Sequence, residues 1–109
     1  MIISQIIFRQ KGKEAYPFVI HKPVQLGTSQ DCDIKIEGPG NCIFAEIFVV
    51  DQELIIRNIG NNEVIYINGI VLIDRIILKI GDQIEIFGSI IQIDWNDDEI
   101  ILTLDVEKS

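Results

Sequence analysis

Histidine, tryptophan and methionine each occur once in this chain, and cysteine twice. The lone His21 stands beside Lys22 and Pro23 at a turn, and no Ser or Cys has a base close to it in sequence. General acid–base and nucleophilic chemistry both need such partners, so an enzyme is not expected. Cys32 and Cys42 carry no CxxC motif and no partnering histidine, and are expected to be buried free thiols. The acidic turn Asn96-Asp97-Asp98-Glu99 lacks the spacing of a calcium loop and is expected to be a solvated tip, with Trp95 packed back on the strand end. No metal and no cofactor is expected.

Cations are scarce too: nine Lys and Arg face 17 Asp and Glu, for a formal net charge of -8. Nucleic-acid phosphates need neutralising cations, so a nucleic-acid partner is excluded, as is docking on an anionic leaflet. Long apolar runs are absent; Ile76 to Ile80 already contains Lys79, far short of the roughly 18 residues a spanning helix needs. Direct membrane insertion is therefore not expected. Met1-Ile2-Ile3-Ser4 lacks the basic start and small-residue cleavage site of a signal peptide and reads as strand. The expected location is cytoplasmic.

What the chain has in plenty is isoleucine, about a quarter of all residues, whose branched β-carbon suits strands. At 109 residues it is read as one domain, 1–109, of the kind excised from a longer protein. Eleven short strands are predicted: Ile2 to Phe8, Tyr16 to Ile20, Val24 to Gly27, Ile34 to Ile36, Ile43 to Val50, Leu54 to Asn58, Val64 to Ile67, Ile70 to Leu72, Gln83 to Phe87, Ser89 to Ile93, and Ile100 to Leu104. Ile84 and Ile86 against Gln83 and Glu85, and Ile34 and Ile36 against Asp33 and Lys35, alternate with period 2. Asn68-Gly69 is a strong hairpin signal because both positions accept positive φ. Ile70 to Ile80, rich in isoleucine and ending in Gly81-Asp82, reads as strand and loop rather than helix. The fold class is all-β, a sandwich of about eleven strands.

Gly27-Thr28-Ser29, Asp33-Ile34-Lys35-Ile36, Phe44-Ala45-Glu46-Ile47, Tyr66-Ile67-Asn68-Gly69 and Gly81-Asp82-Gln83-Ile84 together resemble the forkhead-associated (FHA) domain, a β-sandwich that reads phosphothreonine. The resemblance covers about 80 of the 109 residues. Its framework positions are Gly27, Asp33, Ala45, Ile47, Tyr66, Asn68, Gly69, Gly81 and Asp82. Its phosphate-binding positions are not kept. Thr28 stands where the family has arginine, Asn41 where it has serine, Cys42 where the next arginine follows, and Phe44 where histidine braces the loop. Asn61 replaces a second serine, and Glu63 the asparagine that holds the peptide backbone. Phosphate recognition relies on charge-assisted bonds, best from a forked arginine; none of these positions supplies a cation.

The resemblance, so altered, implies a non-catalytic protein-interaction module that docks a protein partner through apical loops or a sheet face without phosphate. Candidate partner-binding residues are Thr28, Ser29, Asn41, Asn61, Asn62, Glu63 and Asn68. The alternative is a phosphopeptide-binding FHA domain in signalling, with Thr28, Asn41, Asn61 and Asn62 making the hydrogen bonds. A narrower likeness joins Val64-Ile65-Tyr66-Ile67-Asn68, Ile80-Gly81-Asp82-Gln83-Ile84, Ile90-Ile91-Gln92-Ile93 and the short acidic hairpin. These are similar to the degenerate FHA modules at the cytoplasmic N-terminus of membrane-anchored FtsK-like ATPases (EssC) of type VII secretion systems. No oligomeric state follows from the sequence.

Overall fold

The computed structural model describes residues 3–60 and 64–106. These form twelve strands and no helix: β1 Gln5–Gln10, β2 Tyr16–Phe18, β3 Val24–Gly27, β4 Ile34–Lys35, β5 Ile43–Val50, β6 Glu53–Asn58, β7 Ile65–Ile67, β8 Ile70–Val71, β9 Arg75–Leu78, β10 Gln83–Ile86, β11 Ser89–Asn96 and β12 Glu99–Val106. They lie in two sheets, one ordered β2-β1-β12-β11-β10-β7-β8 and the other β4-β3-β5-β6-β9. The result is an all-β, FHA-like sandwich with one strand more than the eleven expected.

The additional strand is β9, inside the stretch Ile70 to Ile80. Its first three residues, Arg75, Ile76 and Ile77, are all exposed and only Leu78 is buried. Alternation is the signal by which a strand is read, and β9, whose first three residues are exposed on both faces, does not display it. β11 and β12 are also longer than expected, because they pair without interruption up to the acidic turn, from Ser89 opposite Val106 to Asn96 opposite Glu99. That turn is tied down: Ser4 donates its N–H to the Asp98 carbonyl at 2.8 Å and its hydroxyl to the Asp98 carboxylate. Trp95 packs half-buried against the core, as expected.

Period-2 patterning fills the interior. Ile84 and Ile86 of β10, Ile65 and Ile67 of β7, Leu54 and Ile56 of β6, and Ile91 and Ile93 of β11 all point inward and are buried. Each such side chain contributes about 1.5–3 kcal/mol of transfer free energy. Two-residue turns connect hairpins at Asp51-Gln52, Asn68-Gly69 and Phe87-Gly88, every one with positive φ at both positions. Such turns match the right-handed twist of the strands they join.

One irregularity shapes the end of the sandwich at which the candidate loops lie. Leu26 of β3 faces Ala45 of β5, but Gly27 faces Ile43, leaving Phe44 as the extra residue of a β-bulge. The bulge turns consecutive residues Phe44 and Ala45 both inward. It also brings the backbones so close that a Cβ on Gly27 would stand 2.1 Å from the Cys42 carbonyl oxygen. The same oxygen accepts hydrogen bonds from the N–H groups of Thr28 at 2.9 Å and Ser29 at 3.1 Å. Gly27→Ala must break this knot or push β3 from β5. It is expected to cost about 2–3 kcal/mol, the scale of overpacking a well-filled site. The thermal midpoint by far-UV circular dichroism should fall by roughly 10 °C or more; an unchanged midpoint would show that the bulge relaxes freely.

Candidate binding site in the apical loops

Four connections meet at one end of the sandwich: β3–β4, β4–β5, β6–β7 and the β10–β11 turn. Backbone bonds weld them together. Ile36 donates to Gly27 at 2.7 Å, Thr28 to Cys42, and Ile59 to the Phe44 carbonyl at 3.0 Å. Phe87 arrives from the β10–β11 turn and meets Phe44 edge-on, with ring centroids 5.4 Å apart. Phe87 carries φ of 49°, a left-handed conformation that a bulky residue adopts only when its surroundings impose it. Above it lies Gly38, where a Cβ would come within 2.7 Å of the Phe87 ring. Phe44 is thus buried beneath the 37–41 loop, with Phe87 as the layer between.

Thr28 is only 6% exposed, and its hydroxyl oxygen accepts the Cys42 N–H at 3.0 Å. Ser29 is buried as well, and its hydroxyl accepts the Asp31 N–H at 3.2 Å, closing the β3–β4 turn. Both hydroxyls act inside the loop framework rather than at its surface. Asn41 is exposed on the rim. Asn61, Asn62 and Glu63 lie outside the described residues. Asn68 does not join this cluster. β7 and β10 run antiparallel, with Ile65 opposite Ile86 and Ile67 opposite Ile84. Asn68 therefore lies at the far end from Phe87, where it bonds Asp82 and Gln83. There its amide donates to the Asp82 carboxylate at 2.9 Å and its side-chain oxygen accepts the Gln83 N–H at 2.9 Å, a structural brace for the hairpin.

Between the loops is a pocket of about 410 Å³ lined by Thr28, Gln30, Lys35, Glu37, Gly38 and Asn41, among others. Lys35 is its one cation among the described residues, and sequence reasoning over the loops overlooked it. Alternation with Ile34 and Ile36 does place Lys35 on the wet face; only the pairing of β4 with β3 shows that this face borders the pocket. Lys35 and Glu37 also wall a larger trough of about 740 Å³, which continues along the sandwich flank past Phe8, Tyr16 and Phe18. The rings of Tyr16 and Phe18 stand 5.0 Å apart and tilted.

The cysteines depart from expectation. Cys42, on the loop next to the bulge, is exposed, and Cys32 is half-buried; both are free. Burial pushes the Cys32 thiol pKa up, with the Asp33 and Asp31 carboxylates acting in the same direction and a hydrogen bond with the Ser29 backbone opposing them. A raised pKa favours the neutral thiol, the poorer nucleophile. His21 is exposed in the turn between β2 and β3.

The geometry defines a class, a β-sandwich of FHA-like architecture whose loops enclose an open pocket with one lysine. No protein-family model matches the chain, and no curated protein matches it. Among solved structures it is similar to EmbR of Mycobacterium tuberculosis, determined in complex with a low-affinity phosphopeptide. The TM-score is 0.65 at 14% identity, covering 99% of this chain and 25% of the other. The chain thus spans about a quarter of that structure, and the likeness is one of fold.

Phe44 can be tested directly. Truncating a buried aromatic costs about 3–5 kcal/mol, so Phe44→Ala should lower the unfolding free energy by that amount in a urea titration. Phe44→His, which restores the residue the family resemblance calls for, should also destabilise, since it puts a polar ring at a position buried in the apolar core. A stability unchanged by either substitution would contradict the bulged register.

Proposed function

We propose that this domain is a non-catalytic protein-interaction module that docks a protein partner through its apical loops without gripping a phosphothreonine. One observation carries the reading. Thr28, at the position where the resemblance calls for a forked arginine, is buried with its hydroxyl committed to the Cys42 N–H. That position delivers no charge to a ligand, and its side chain is tucked into the loop framework. A phosphate brings about -1.5 to -2 charges, and a chain at net -8 repels it before contact. Partner affinity would instead come from the trough beside the pocket, where Phe8, Tyr16 and Phe18 offer apolar area at low entropic cost.

A second reading, phosphopeptide binding, is favoured by Lys35, a cationic residue that lines the pocket. A lysine meets phosphate as a point charge without the bidentate geometry of arginine, so this reading ranks second. We further propose, on the motif likeness of the β7, β10 and β11 regions, that the domain belongs to the cytoplasmic assembly or regulatory portion of an EssC-type type VII secretion ATPase. Reading the complete gene tests that origin: membrane segments and ATPase motors encoded downstream would support it, and their absence would refute it.

Calorimetric titration with phosphothreonine peptides tests the main reading. Dissociation constants weaker than about 1 mM are expected, less than roughly 4 kcal/mol of binding. The combined variant Thr28→Arg/Asn41→Ser/Glu63→Asn, provided circular dichroism shows its loops and fold retained, should recover measurable affinity, and each single change should not. Micromolar binding by the unmodified domain that disappears in Lys35→Ala would overturn the proposal in favour of the second reading.

A further inference from the structure

Among the described residues, six of the eleven exposed large hydrophobics, Tyr66, Ile70, Ile73, Ile76, Ile77 and Ile80, fall in one stretch of chain at the side of the sandwich remote from the trough. β8 ends the larger sheet and β9 ends the smaller, so this stretch holds two sheet edges. Between them runs a groove of about 330 Å³ lined by Ile67, Ile70, Val71, Leu72, Ile76 and Ile77, with Asn68, Lys79 and Asp82 at its polar end. Ile70, on the groove, and Ile73, in the turn before β9, are 73% and 75% exposed.

The hydrogen-bonding parity of β9 can be read from its pairing with β6. The Asp74 carbonyl accepts the Asn58 N–H at 2.7 Å, and Ile56 lies opposite Ile76 and Leu54 opposite Leu78. In an antiparallel ladder such pairs alternate, so residues 74, 76 and 78 bond to β6 while Arg75 and Ile77 direct their N–H and C=O groups outward. Lys79 closes the open stretch, its N–H held by the Asp82 carboxylate at 2.7 Å and its carbonyl by the Asp82 N–H at 3.0 Å. On the outer face Ile77 continues a row across the sheet, next to Ile55, which is paired with Phe48. The side chains flanking Ile77 on that face are Arg75 and Lys79, and neither has an acidic partner among the described residues.

From this arrangement we infer that β9 is a second docking edge, which takes up an extended strand from a partner protein carrying acidic residues on either side of an apolar one. Such a strand bonds its backbone to Arg75 and Ile77. Its acidic side chains meet Arg75 and Lys79, its apolar one covers Ile77, and its opposite face fills the groove against Ile70 and Ile76. The same two cations exclude a second copy of this chain. In a two-fold pairing through these outward groups, Arg75 falls opposite or diagonal to the Arg75 or Lys79 of the other copy, a like-charge contact. The edge is guarded against itself and open to an acidic strand, in a chain whose overall charge would otherwise repel one.

The probe is a capped synthetic peptide, Ser-Glu-Val-Leu-Val-Glu-Ser, titrated into the domain at low ionic strength and followed by amide shifts. Binding tighter than about 1 mM is expected, with the largest shifts at Arg75 and Ile77. Added salt should weaken it, and the same peptide with lysine for glutamate should not bind. Arg75→Glu/Lys79→Glu, both exposed positions, should retain the fold by circular dichroism and weaken binding at least tenfold. Ile77→Pro removes an outward N–H without touching the β6 ladder and should abolish it. Failure of the glutamate peptide to bind, binding that is indifferent to the charge reversal, or shifts confined to Thr28 and Asn41 would overturn the inference. So would concentration-dependent dimerisation of the domain alone through β9, which would make a second copy the occupant. None of these outcomes depends on the phosphothreonine titration, so the two docking surfaces stand or fall separately.

Discussion

The contact on which the apical end depends is the approach of Gly27 to the carbonyl oxygen of Cys42. Only a hydrogen fits there, and the oxygen receives two backbone N–H groups in return. Because β3 and β5 come this close, β5 must carry an extra residue, and that residue, Phe44, is driven inward. Phe44 then supports Phe87, and Phe87 supports Gly38, so three loops take their positions from one bulge. The left-handed conformation of Phe87 is held by this stack; such a conformation costs of order 1–3 kcal/mol and persists only where the surroundings over-determine it.

The same contact decides what the loops can offer a ligand. Thr28 lies one residue beyond the close approach, where the Cys42 N–H needs an acceptor, and the threonine hydroxyl supplies one. A side chain held in the framework in this way brings no charge and little exposed surface to a partner. The side chains around the pocket that stand further out are Lys35 and Asn41, with Tyr16 on the flank beyond. At the other side of the molecule the constraint is of a different kind. Two sheets of unequal width end together, and the unpaired backbone of β9 is left beside apolar side chains and two cations.

Much of the fold could be read from the residues because burial on one face imposes period 2 on a strand, and turns with positive φ select Asn, Asp and Gly. Ile84 and Ile86 against Gln83 and Glu85 and the Asn68-Gly69 hairpin are of this kind, each a relation between near neighbours. β9 escaped because an edge strand with exposed isoleucines on both faces has no periodic signature. Cys42 was expected inside because a free cysteine behaves as a small hydrophobe; the bulge next to it leaves the loop outside.

By itself the sequence determined the all-β class, the two-sheet rhythm, the inward isoleucines and the absence of cations at the loop positions Thr28, Asn41 and Cys42. Those properties depend on side-chain chemistry and on neighbours a few residues away. Tertiary structure alone decided that Phe44 is a bulge residue, that Thr28 turns inward, that Asn68 braces the opposite end and that Lys35 borders the pocket. Each of these depends on which strand lies beside which, and in what register. That is settled by long-range pairing across the sheets, where a shift of one residue exchanges the buried face for the exposed one.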